Sequence, residues 1–244
     1  MASACASFRP SHAPEAVPHN FKKGAFLLPI FIDPFRVFTF LHVVLFAYWL
    51  GTDLGVLITG MAANAADLTG NARERIRKAS GRIDMGPRTA MVLMVPVGLT
   101  LASNWGLPIG PLALVAAWVG GLAWLWLVWM IYLRQGTRLG KRLWKIDLGI
   151  RMLATIGFVG TGIVSLATGA PVDSGWLATK MLLFGLLLLL GVVVRLLLLW
   201  KPPVPPKAGA PFVPAPFWNP LRITVFAIWA LVLAMAFLGV TKPF

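Results

Sequence analysis

The stretch Val37 to Gly60, VFTFLHVVLFAYWLGTDLGVLITG, places an imidazole and a carboxylate inside a segment apolar enough to cross a bilayer. A spanning helix needs about 20 mostly apolar residues. Ionisable groups at that depth cost free energy, so His42 and Asp53 are functional candidates by type alone. On a helix His42, Trp49 and Asp53 fall on one face, which should look into a bundle rather than at lipid. A neutral imidazole nitrogen can ligate haem iron axially, so His42 is the candidate metal ligand. It can equally hydrogen-bond across helices. It is the only histidine in an apolar stretch, which excludes a bis-histidine haem within one chain. A five-coordinate haem, or a second ligand such as Met, stays open.

A second apolar stretch, 176–200, holds Lys180 near its start and Arg195 near its end. Lys180 can snorkel to the interface, or pair a haem propionate or an acidic substrate. Arg195 can snorkel the other way or bind a carboxylate bidentately. Asp53 needs a partner if buried, and Arg88 is within reach of it; without one it is a proton-relay candidate. Asp147 and Arg151 are i,i+4 neighbours and read as a local pair.

These residues need spanning helices to position them, and the composition supplies them. The chain has 244 residues, 58% of them hydrophobic, with mean hydropathy +0.80. Soluble domains have about 45–50% apolar residues. The fold class is therefore an all-α integral membrane protein. The net charge of +14 sits in short loops, where positive-inside topology and anionic lipid explain it better than nucleic acid. Cys5 is the single cysteine and excludes an intrachain disulfide and a four-cysteine metal site. The first 20 residues have no apolar core of a signal peptide. No Walker loop, dinucleotide fingerprint, HExxH or Ser/His/Asp arrangement is present, so ATP-driven and hydrolytic functions have no support.

In chain order, residues 1–34 form a polar tail and a short interfacial segment. Asp33-Pro34 starts the first span, 35–60. A basic loop, 61–87, leads to a second span, 88–104, with Pro96 expected to kink it. The third span, 112–133, carries Trp118, Trp124, Trp126 and Trp129, too irregularly spaced for a cofactor face and read as lipid-facing or interfacial. A second basic loop precedes the fourth span, 147–168, rich in Gly, Thr and Ser, which permits close packing. The fifth span is 176–200. A proline-rich connector, 201–220, leads to the sixth, 221–240. The expected architecture is a six-transmembrane-helix bundle over 35–244. Basic loops one–two, three–four and five–six put both termini in the periplasm of a bacterial inner membrane. Arg9, Lys22, Lys23 and Arg36 weigh against that orientation.

The stretch LHVVLFAYWLGTDLG, with a basic loop leading into MGPRTAMVLMVPVGLTLA, resembles the HemJ family of membrane protoporphyrinogen oxidases, related to the CopD-like four-helix membrane superfamily. WLATKMLLFGLLLLLGVVVRLLL looks like that family's lysine-bearing helix, and VLAMAFLGVTKPF is similar to its lysine-proline-phenylalanine ending. The resemblance covers 37–103 and 174–244. It implies haem b as cofactor, His42 as its ligand and Lys180 as the second functional residue, with Arg195 and Trp49 beside the cofactor and Asp53 taking protons. Family members usually have four helices, so 105–173 reads as an inserted pair. The family's asparagine-glutamate pair before its last helix is here Asn219-Pro220.

The expected function is haem-assisted oxidation of protoporphyrinogen IX to protoporphyrin IX, with electrons passing to a quinone or respiratory partner. The competing reading is a non-catalytic accessory subunit of a larger redox or photosynthetic complex. The inserted pair, the tryptophans and the connector would then be contact surfaces for a membrane-protein partner or a second copy. A permease is weaker, since no methionine or histidine ladder and no inverted repeat is visible.

Overall fold

The computed structural model describes residues 33–63, 65, 68–105, 107–200 and 219–243. The expected tail through Ile32 and the connector from Lys201 to Trp218 lie outside the described residues. Seven helices follow: α1 (Pro34–Ala62), α2 (Gly70–Ile83), α3 (Met85–Asn104), α4 (Pro111–Leu133), α5 (Arg138–Thr168), α6 (Gly175–Trp200) and α7 (Pro220–Thr241). Six helical segments are long and apolar enough to cross a membrane, with α2 and α3 counted as one run from Gly70 to Asn104. The chain is an all-α, multi-pass membrane bundle of six spans in contact with lipid.

Local chemistry sets the ends. The Asp33 carboxylate accepts from the Phe35 amide at 3.0 Å, with Pro34 in the first turn where its missing N–H costs nothing. Asn219 and Pro220 repeat the device at α7, the Asn219 side chain accepting from the Leu221 amide at 3.0 Å. Thr137 caps α5 by accepting from Gly140 N at 3.0 Å.

Two expected loops are helical. Most of 61–87 is α2, whose sequence GNARERIRKASGRI is strongly basic and contains no buried residue. The Arg73 guanidinium ties it to α1, donating to the carbonyls of Ala63 at 3.2 Å and Ala65 at 3.0 Å, near the end where helical carbonyls lack intrahelical donors. The basic stretch before the fourth span is the start of α5, which begins at Arg138 rather than 147. Good helix formers occupy both stretches, and neither carries a proline to stop them before Pro87.

Each span reverses the last, so α2, the α4–α5 turn and the end of α6 gather at one basic end. The start of α1, the end of α3, the start of α6 and the end of α7 gather at the far end. The spans form a ring: α1 packs on α3, α3 on α4, α4 on α5, α5 on α6 and α6 on α7, with α7 returning to α1 over a short seam. The α5–α6 contact is closest. A Cβ on Gly162 would lie 2.7 Å from the Leu182 amide nitrogen, and one on Gly185 2.8 Å from that of Val159. Glycine on both helices lets their backbones touch, the usual route to tight helix pairs in lipid.

The main core joins Trp49 of α1, Met91 and Val92 of α3, Trp124 and Val128 of α4, Leu187 and Leu188 of α6 and Val232 of α7. Pro96 lies inside α3 and packs on α4, where a Cβ on Gly121 would stand 3.0 Å from its ring. Outward residues such as Leu112, Leu153, Trp126 and Phe237 are exposed and apolar, as a lipid-facing surface requires.

Candidate functional site

His42 lies on the inward face of α1, two turns from the far end, with Trp49 and Asp53 below it on the same side. Its ring packs against α3 at Gly98, where a Cβ would approach His42 Cε1 to 3.8 Å. His42 Nδ1 is buried and has no hydrogen-bond partner. The cross-helix hydrogen bond that would explain this histidine structurally is therefore not made. Lys180 of α6 lies near the start of its helix, at the same end of the bundle as His42.

Lys180 Nζ sits over α7, 2.8 Å from where a Cβ of Gly239 would be, so glycine leaves the ammonium its room. No carboxylate among the described residues pairs with it. Its neighbour is the Trp176 ring, 6.0 Å from Nζ.

Aromatic rings cluster at the far end. Trp105 stands edge-on to Trp176 with centroids 5.8 Å apart, and Phe35 meets Trp105 at 6.2 Å. Lys242, left-handed at φ 43°, ends α7 and lays its ammonium 3.4 Å from the Trp105 centroid and 5.7 Å from that of Trp176. The lysine of the KPF ending thus docks on rings from the ends of α3 and α6. Two ammonium groups, Lys180 and Lys242, neither paired with a carboxylate among the described residues, flank the Trp176 ring there, an arrangement complementary to an anionic ligand.

Asp53, Arg88, Asp147, Arg151 and Arg195 fall into three groups. Asp53 does not pair with Arg88. Its Oδ2 accepts from Trp229 Nε1 of α7 at 2.7 Å, and no lysine or arginine pairs with it. Arg88 instead bonds Asp84 one turn back, where both side chains are close to the basic end. The third group surrounds Asp147, which is fully buried. Trp124 Nε1 donates to its Oδ1 at 2.7 Å, Arg151 Nε to its Oδ2 at 3.0 Å, and Arg195 to Oδ2 as well. Arg151 Nη1 also reaches Met91 Sδ at 2.9 Å, and its guanidinium lies 5.6 Å from the Trp124 ring centroid.

The Asp147–Arg151 pair is present as expected, one turn apart on α5, and it is more than a local pair. It is the centre of a junction tying α3, α4, α5 and α6. Arg195 belongs to that junction near the basic end, paired with Asp147, whereas His42 lies toward the far end. The third-span tryptophans also divide. Trp126 and Trp129 are exposed, while Trp124 is buried on Asp147 and Trp118 donates to Thr100 Oγ1 at 3.0 Å. Spacing alone missed both, because a single indole N–H with a buried acceptor leaves no periodic signal. Trp105, Trp176 and Lys242 were missed as a unit because the ends of three helices build it.

The described residues contain no group of three or more His, Cys, Asp or Glu able to hold a metal ion, so His42 is a lone ligand candidate. No family model, curated protein or solved structure matches the chain.

Proposed function

We propose that the far-end site binds haem b and that the protein is a HemJ-like membrane oxidoreductase, taking protoporphyrinogen IX to protoporphyrin IX and passing electrons to a quinone or respiratory partner. The proposed setting is a bacterial inner membrane, with both termini periplasmic. One observation supports the reading: a buried imidazole nitrogen on α1 without a hydrogen-bond partner, with a lysine near the start of α6 that has no carboxylate partner among the described residues. In a membrane interior both groups are costly unless something satisfies them.

The residues fit the group on these grounds. His42 would ligate the iron, and Lys180 would neutralise a propionate. Haem bound there would supply a one-electron acceptor within the membrane. Gly98 and Gly239 keep the walls beside both residues free of side chains. Asp53, bonded to an indole rather than to a cation, is the carboxylate free to take a proton.

The test is the absorption spectrum of the purified protein, wild type against His42→Ala. A Soret band that is lost or shifted in the variant supports the ligand role. A colourless wild type, purified from cells supplied with haem precursor and containing no iron, overturns it and leaves the accessory-subunit reading.

A further inference from the structure

At the basic end, a groove of about 510 Å³ lies between α2 and the end of α4. Its polar lining is Glu74, Arg77, Lys78, Arg82, Tyr132 and Gln135. Three cations face one acid, and Glu74 is already engaged by Lys78 at 3.6 Å. Arg77 Nη2 is buried in the protein and has no hydrogen-bond partner. A groove lined by three cations and one already engaged acid carries surplus positive charge and calls for an oxyanion.

Depth identifies where that oxyanion comes from. Tyr132 is the penultimate residue of α4, and it stacks edge-on with the half-exposed Trp129 at 6.4 Å. Such aromatic pairs at span ends sit at headgroup level. The helix α2 runs beside them, polar and unburied, with its basic residues at the same level. A lipid phosphate at the end of α4 therefore has the groove beside it. Tyr132 and Gln135 add donors for its remaining oxygens.

We propose that this groove binds a phosphate group, with Arg77, Lys78 and Arg82 supplying the charge. The phosphate is presented by an anionic lipid headgroup or by a free phosphate, and the experiment separates the two. Native mass spectrometry of the purified protein would compare retention of phosphatidylglycerol and phosphatidylcholine, each with and without inorganic phosphate. The expected result is selective retention of phosphatidylglycerol, weakened about tenfold by Arg77→Gln, which corresponds to about 1.4 kcal/mol. The double variant Lys78→Gln/Arg82→Gln changes only surface-side cations and tests the site should Arg77→Gln fail to fold. Displacement of the lipid by inorganic phosphate assigns the site to soluble phosphates; resistance to it assigns the site to the headgroup. Equal retention of the two lipids with no phosphate effect, or wild-type retention in the folded double variant, overturns the proposal.

Discussion

Arg195 on α6 and Asp147 on α5, 48 positions apart, form an ion pair inside the bundle, with the carboxylate fully buried. Arg151 and Trp124 occupy the rest of that carboxylate, so one acid organises three donors from three helices. Removing one partner of a buried charge pair costs about 3–5 kcal/mol, because the remaining charge stays buried. Asp147→Ala strands two guanidiniums and is expected to be destabilising by that amount. Denaturation in mixed micelles checks it. Arg195→Gln leaves Arg151 on the carboxylate and is expected to cost less.

The α5–α6 contact predicts a sharp contrast between glycines of one helix. Gly162→Ala forces a methyl against the Leu182 backbone and is expected to cost about 1–3 kcal/mol. Gly149, where a Cβ would meet nothing within 4 Å, is the control. Gly149→Ala is expected to be neutral or stabilising by up to about 1 kcal/mol, since alanine favours the helix. Thermal unfolding in detergent separates the two.

For the far-end site, Lys180→Met removes charge but keeps length. Under the haem reading the variant keeps a Soret band and binds haem more weakly, whereas His42→Ala loses or shifts the band. Haem titration followed by absorption distinguishes them. Identical titrations for wild type and both variants would exclude these residues as the haem site.

The Asp53–Trp229 bond makes a prediction that needs no cofactor. Trp229→Phe removes the indole donor from a carboxylate and is expected to cost about 1.5–3 kcal/mol. Asp53→Asn keeps an acceptor for the indole and is expected to cost less. Unfolding midpoints of the two variants check the order. Should Trp229→Phe prove the milder, the indole is not what holds Asp53.

The spans were legible in the sequence because apolar runs of that length have few alternatives, and the Asp33-Pro34 start followed from capping chemistry. The inward face of His42, Trp49 and Asp53 was legible from helical spacing. What the spacing could not supply was partner choice. Asp53 has Arg88 near it in span order, yet the ring places Trp229 beside it and lets Arg88 bond Asp84 within its own helix. The Asp147 junction was half visible as an i,i+4 pair; Arg195, Trp124 and Met91 join it only through packing. The helices of the two basic stretches were hidden because high charge reads as loop, although arginine, lysine and alanine all favour helix.

The ring of spans is unevenly joined. Where α5 meets α6, glycines on both helices bring the backbones into close approach. Where α7 comes round to α1, the join is a short seam held by one indole and one carboxylate. Mechanical compliance is therefore concentrated along that line. Widening of the bundle by heat or detergent is expected to begin there rather than between α5 and α6.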